Sequence, residues 1–109
     1  MYNKDWNISN TQQLTINHAS LKEIPLAWTN LDRLESLDLS YNQLQVLRKE
    51  IGNLQQLKKL DLSNNKLNKL PESLSELKQL EFLNLSNNKL ESIPLVVSQL
   101  PALKVLRIK

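Results

Sequence analysis

The sequence predicts a curved α/β solenoid, with a parallel sheet of five short strands on the inside and short helical segments on the outside. Leucine accounts for 25 of the 109 residues, and apolar residues recur at the same places every 23 residues. Each copy also changes from strand-like alternation to helical spacing. Because one copy cannot bury its own apolar face, neighbouring copies must stack and cover one another.

Each copy carries two kinds of periodicity, and the third copy shows both. Leu60 and Leu62 alternate with polar residues, which is typical of a strand. Leu70, Leu74 and Leu77 follow at spacings of four and three, which is typical of a helical segment. The predicted copies span residues 11–33, 34–56, 57–79 and 80–102, and the strand half of a fifth copy spans 103–109.

The shared pattern L-x-x-L-x-L-x-x-N-x-L resembles the leucine-rich repeat family over residues 11–109. The L-P-x-x-I/L-x-x-L tail resembles its 23-residue subclass, which is common in intracellular and bacterial proteins. The resemblance implies a right-handed curved array, with the sheet on the concave face and helical or 3₁₀ segments on the convex face. It also implies a non-catalytic scaffold that binds a protein partner, and the sequence does not identify that partner.

The first part of the chain departs from the repeat. Residues 1–10 do not fit it, and we interpret them as an N-terminal cap; the alternative is a remnant of a longer protein. In the first copy, Thr11 stands where leucine begins the other copies, and Ala19 stands where asparagine is expected. Terminal repeats are usually atypical, so we expect a boundary here. Trp28 is predicted to fill the core beneath the cap.

Asparagine recurs at one corner of the repeat, at Asn42, Asn65 and Asn88. A side-chain amide donates and accepts hydrogen bonds at once, so it can satisfy backbone groups of its own turn and of the adjacent turn. We therefore predict a structural ladder of stacked asparagines. Because the chain has a single glycine, we also expect asparagines to provide the left-handed corners.

Composition argues against several classes of function. The chain has no cysteine, which excludes disulfides, thiolate metal sites and the cysteine-rich caps of many extracellular relatives. The start has no apolar run, so we expect no signal peptide, no membrane span and a cytoplasmic location. Net charge is +3, with lysines interleaved among glutamates. That arrangement favours a solvated surface over the alternative, nucleic-acid binding.

No residue pattern indicates catalysis or a cofactor. The one histidine, His18, is predicted to lie beside Tyr41 with Ser40 and Asp38 near it. A hydrolase would need a water-excluded pocket and oxyanion donors, and an open sheet offers neither. A single histidine without cysteine also disfavours a zinc site. We therefore predict no enzyme, no cofactor and no metal.

The predicted partner-binding site lies on the concave face, at the later strands. One row across the strands is polar until Phe82 and Val105, which we expect to be solvent-facing neighbours. An outer row that alternates in sign is predicted to form cross-strand ion pairs. The five predicted binding residues are Phe82, Val105, Arg107, Lys59 and Asn84.

Two further apolar residues, Leu95 and Val96, occupy positions where other copies mostly carry polar side chains, so we expect both to be exposed. Together with Phe82 and Val105 they indicate a binding surface at this end of the array. One alternative is that these residues only complete the core of a short array. Another is a structural homodimer formed through the last predicted strand.

Overall fold

The computed structural model describes residues 10–109, which form a stack of similar turns. Each of the first four turns contains a three-residue strand, a corner and a return segment with a 3₁₀ helix, and the fifth contributes a strand. The strands are β1 (Gln13–Thr15), β2 (Ser36–Asp38), β3 (Lys59–Asp61), β4 (Phe82–Asn84) and β5 (Val105–Arg107). The 3₁₀ helices are η1 (Leu26–Asn30), η2 (Lys49–Asn53), η3 (Glu72–Glu76) and η4 (Leu95–Gln99). The predicted cap, residues 1–10, falls almost wholly outside the described residues.

The strands form one parallel sheet in the order β1-β2-β3-β4-β5, which confirms the predicted five-stranded array. Pairing is in register at the 23-residue spacing, so Leu37 faces Leu60 and Leu60 faces Leu83 across the sheet. The central residue of each strand points into the core, and its polar neighbours point to the concave face. Equal copy lengths therefore place equivalent side chains in straight rows.

The core is a continuous column of aliphatic side chains between the sheet and the 3₁₀ helices. Leu60, Leu74 and Leu83 have no exposed surface, because turns on both sides cover them. Burial of such side chains contributes about 1.5–3 kcal/mol each. Trp28 packs against this core and is only partly buried, whereas its equivalent Ile51 is fully buried.

The corner after each of the strands β1 to β4 turns through a residue in the left-handed backbone region. Asn64 and Asn87 hold this position with φ of 57° and 58°. In the earlier turns it is held by His18 at 51° and Tyr41 at 55°. The prediction that asparagines would provide these corners is therefore wrong for two turns, and a bulky residue such as tyrosine adopts this region at an energetic cost.

Asparagine side chains join neighbouring turns just after the corner. Asn65 Nδ2 donates to the Leu39 carbonyl of the preceding turn at 3.0 Å and to the Leu62 carbonyl of its own turn at 3.1 Å. Its Oδ1 accepts the backbone N–H of Leu44 at 3.0 Å. Asn42 and Asn88 make equivalent bonds one turn earlier and one turn later.

Each 3₁₀ helix follows a residue with φ between −58° and −72°. Proline supplies that angle in three turns, and Arg48 adopts it in the second with φ of −69°. The Arg48 guanidinium donates to the Ile24 carbonyl at 2.9 Å and to Glu50 at 3.1 Å. The pKa of the Glu50 carboxyl is lowered, chiefly by a hydrogen bond from its own backbone N–H and then by the bond from Arg48.

The last 3₁₀ helix departs from the expected exposure. Leu95 is 77% exposed as predicted, but Val96 is only 6% exposed and belongs to the core. The prediction that Val96 faces solvent is wrong, because the 3₁₀ segment turns this position toward the preceding turn. Ile93, the equivalent of Leu70 in this turn, is 55% exposed.

Candidate functional site

Two rows of side chains cross the concave face, because every strand presents its first and third residues there. They contain the predicted binding residues, and the rows run from β1 to β5 as Gln13, Ser36, Lys59, Phe82 and Val105, and as Thr15, Asp38, Asp61, Asn84 and Arg107. Polar side chains fill the first part of the first row. Its last two members are apolar, and Val105 is 41% exposed.

Phe82 is the centre of a compact cluster on this face. The Lys59 ammonium lies 5.1 Å from the centroid of its ring, and the Arg107 guanidinium carbon lies 5.3 Å from the same centroid. The two cations come from the strands on either side of β4. Both distances are within the range of cation–π attraction, which contributes about 0.5–1 kcal/mol at an exposed site.

The cluster has no acidic counterpart among the described residues. No carboxylate of residues 10–109 lies within 4.0 Å of the Lys59 or Arg107 charge. The outer row differs, since Lys58 lies 3.9 Å from Glu35 and Lys104 lies 3.9 Å from Glu81, which confirms the predicted cross-strand pairs. Within residues 10–109, the face therefore carries paired cations at its margin and cations without a carboxylate partner around Phe82.

Some polar side chains of the second row accept hydrogen bonds from the corner that follows their strand. Asp61 Oδ1 accepts the backbone N–H of Ser63 at 3.0 Å and its hydroxyl at 2.7 Å. Asn84 Oδ1 accepts the backbone N–H of Ser86 at 3.0 Å, which leaves its amide nitrogen as a donor toward the concave face. Asn84 also faces Arg107 in register, so all five predicted binding residues lie on adjacent strands.

A second exposed feature lies at the other end of the array. The rings of His18 and Tyr41 stack with centroids 4.6 Å apart and planes 13° from parallel. The 23-residue spacing predicts that they are neighbours, but it does not reveal their left-handed backbone. Ser40 is buried, and its backbone N–H donates to Asp38 Oδ1 at 2.9 Å, so these residues hold the corner of the turn.

Other kinds of site find little support in the described part of the chain. Within it, no group of three or more histidine, aspartate or glutamate residues is arranged to hold a metal ion. None of its helices is both long enough and apolar enough to cross a membrane. An open groove of about 590 Å³ lies between return loops and is lined by residues 68–70, 89–92 and 94, none of which belongs to the concave rows.

The repeats of this chain match a known family. The model described as "Leucine rich repeat" matches residues 9–67, 32–90 and 56–109, and these segments overlap to cover most of the chain. The chain belongs to the leucine-rich repeat family. Domains of this family generally serve as protein-interaction scaffolds and are typically non-catalytic. No curated protein sequence matches the chain.

Solved structures of this family are similar in fold. A leucine-rich repeat protein of Leptospira interrogans superimposes with a TM-score of 0.81 at 38% identity over 90% of this chain. The leucine-rich repeat domain of APL1B gives 0.83 at 25% identity over 92%, and an internalin of Listeria monocytogenes gives 0.69 at 25% over 80%. This chain covers only part of the length of each solved chain: 26% of the Leptospira protein, 32% of the APL1B domain and 25% of the internalin.

Proposed function

We propose that this leucine-rich repeat domain binds a protein partner on its concave face, at the cluster formed by Lys59, Phe82, Asn84, Val105 and Arg107. The observation that carries the proposal is the half-buried Phe82 ring, which is next to the exposed Val105 and is flanked by two cations that no carboxylate of residues 10–109 pairs. An apolar centre surrounded by charge is the usual anatomy of a protein interface. Aromatic and arginine side chains are also the commonest energetic anchors of such interfaces.

The rigidity of the sheet supports the same proposal. Lys59, Phe82 and Val105 stand on three adjacent strands whose backbones are fixed by in-register pairing. The backbone of this surface is therefore preformed, and a partner needs little reordering of the main chain on binding. The buried core directly beneath β3 and β4 holds that surface in place.

The test is selection of a random-peptide display library on the immobilised domain, followed by binding of the selected peptides to two double variants. Phe82→Ala with Val105→Ser is expected to weaken binding by at least about tenfold, the effect of losing one anchor. Gln13→Ala with Thr15→Ala alters the same rows at the other end and is expected to leave binding unchanged. Circular dichroism checks that each variant stays folded. The proposal fails if the second pair of substitutions abolishes binding and the first does not.

Self-association is the second candidate, and exposed apolar residues of the last two turns favour it. Ile93 is 55% exposed, Leu95 77% and Val105 41%. A second copy that covered these side chains would remove apolar surface from water. Light scattering over a range of concentrations tests it: a dimer mass that Val105→Ser and Leu95→Ser reduce to the monomer supports this candidate, and a constant monomer mass rejects it.

A further inference from the structure

We infer that the partner of the Phe82 cluster is an extended acidic segment, with carboxylates at alternate positions and an apolar residue beside them. The inference rests on the proposed function, because it names the chemistry of what that surface binds. It depends on three properties of the cluster. Its two cations have no carboxylate partner among residues 10–109, they lie on strands on either side of β4, and they cover the ring of Phe82.

Two kinds of cation lie on and beside the concave face. Lys58 and Lys104 each have a carboxylate at 3.9 Å, whereas Lys59 and Arg107 have none among the described residues within the same range. Their shared neighbour is the π face of Phe82. A partner carboxylate can therefore approach either cation without displacing an existing ion pair, and complementary charge gives both specificity and a faster association rate.

The spacing of the cations suits an extended peptide. Lys59 and Arg107 lie 5.1 and 5.3 Å from one ring centroid, on strands either side of β4. Alternate residues of an extended chain point the same way and are about 6.8 Å apart. Two glutamates at such positions can reach the two cations together. Val105 lies two residues before Arg107 on β5 and is exposed, so it can contact an apolar residue beside the second glutamate.

Acidic residues earlier in the array limit where this segment can bind. Asp38 and Asp61 face each other in register on β2 and β3. Their carboxylates repel an acidic segment from the β2 side of the concave face. Phe82 and Arg107 offer an apolar and a cationic contact on the β5 side. The acidic segment is therefore expected across β3 to β5 and not along the whole sheet.

The same cluster is less suited to nucleic acid. Bases bind single-strand-binding proteins by stacking on aromatic faces, and here Lys59 and Arg107 lie over the ring of Phe82. A phosphate backbone also favours a continuous basic track. On this face Asp61, which shares β3 with Lys59, and Asp38 on β2 interrupt such a track. A glutamate-bearing peptide meets both cations without requiring an open ring face.

The experiment is an NMR titration of the isotope-labelled domain with three synthetic peptides that differ only in charge. They are Ser-Glu-Ser-Glu-Ser-Leu, its glutamine counterpart and its lysine counterpart. The acidic peptide is expected to shift the backbone amides of Lys59, Phe82 and Arg107 and to bind at least about tenfold more tightly than the other two. Its affinity is expected to fall as salt is raised. A thymidine oligonucleotide serves as the nucleic-acid arm.

A matched pair of variants separates a local site from an effect of net charge. Lys59→Gln with Arg107→Gln is expected to weaken acidic-peptide binding by about tenfold, as loss of two ion pairs would. Lys58→Gln with Lys104→Gln removes the same total charge from the outer row and is expected to change it by less than about twofold. Equal losses in the two double variants would overturn the inference.

The outcomes also distinguish this inference from the proposed function. If the neutral or basic peptide shifts the same concave amides as strongly, the acidic preference is wrong and concave binding stands. If neither these peptides nor the library-selected peptides shift concave amides, the proposed function fails as well. Tighter binding of the oligonucleotide than of the acidic peptide, at the same amides, would replace an acidic protein segment with nucleic acid as the partner.

Discussion

At the scale of single residues, the amide of one asparagine satisfies backbone groups of two turns. Asn65 is the central case, because its Oδ1 is the acceptor for the buried N–H of Leu44. Carbonyls contacted by Asn65 also receive bonds from other asparagines, since Asn42 donates to Leu39 O and Asn88 donates to Leu62 O. The amide of Leu44 is therefore the group that depends most on Asn65.

Replacement of Asn65 tests this dependence. Asn65→Ala is expected to lower the free energy of unfolding by about 1–3 kcal/mol, because the Leu44 N–H stays buried without a partner. Asn17→Ala is the matched control, since Asn17 is exposed, and little change is expected. Urea unfolding of both variants measures the difference. Equal unfolding midpoints would contradict this role for Asn65.

The chain's single glycine allows two turns to approach closely. A Cβ at Gly52 would lie 2.7 Å from the backbone oxygen of Ser73, which is shorter than a van der Waals contact. The Ser73 hydroxyl also donates to the Lys49 carbonyl at 2.6 Å, which holds the same two 3₁₀ helices together. Absence of a side chain at position 52 therefore determines the packing of η2 on η3.

Gly52→Ala is expected to destabilise the fold by about 1–3 kcal/mol, because the added methyl group forces the two helices apart. Ser75→Ala is a suitable control, since Ser75 is the equivalent residue of the next turn and its hydroxyl makes only an exposed local bond to Glu72. Thermal unfolding compares the two. A Gly52→Ala variant as stable as the original chain would show that η2 and η3 separate freely.

At the scale of elements, backbone geometry matters more than residue identity at the start of each 3₁₀ helix. Three of these helices follow a proline, and η2 follows Arg48, which has the same extended backbone. Arg48 holds that conformation with a side chain bonded to the preceding turn. Proline holds it by ring closure instead.

Two substitutions at Arg48 separate these effects. Arg48→Ala and Arg48→Pro both lose the bonds to Ile24 and Glu50, but only proline restricts the unfolded chain. Arg48→Pro is therefore expected to be more stable than Arg48→Ala by about 0.4–1 kcal/mol. Chemical unfolding under identical conditions measures the difference. The opposite order would mean that proline strains the second turn, unlike its equivalents.

At the scale of the whole molecule, a constant repeat length explains what the sequence could predict. The 23-residue spacing places Phe82 beside Val105 and Asp38 beside Asp61, because equal copies bring equivalent strand positions into register. Side-chain alternation then assigns each row to the core or to the concave face. The fold and the membership of the candidate surface follow from these two periods.

Features that depend on local geometry could not be predicted in the same way. Leu95 and Val96 are adjacent and equally apolar, yet the phase of a five-residue 3₁₀ helix exposes one and buries the other. The left-handed backbone of Tyr41 is set by its place in the turn and contradicts its residue type. The cations over Phe82 depend on side-chain rotamers, which periodicity does not specify.

Stacking also predicts that equivalent leucines in different turns contribute differently to the free energy of unfolding. Leu60 is fully buried between Leu37 and Leu83, so Leu60→Ala leaves a cavity that two neighbouring turns line. A loss of about 2–5 kcal/mol is expected. Leu106 is partly buried and pairs with Leu83 on the β4 side, so Leu106→Ala removes less covered surface.

The comparison of these two variants measures how strongly neighbouring turns stabilise one another. In a repeat array each turn is stabilised mainly by its nearest neighbours, so a central defect weakens two interfaces and a terminal defect weakens one. Urea unfolding is expected to shift the midpoint of Leu60→Ala well below that of Leu106→Ala, with a single transition in each. Equal midpoints would show that the five turns contribute independently of position.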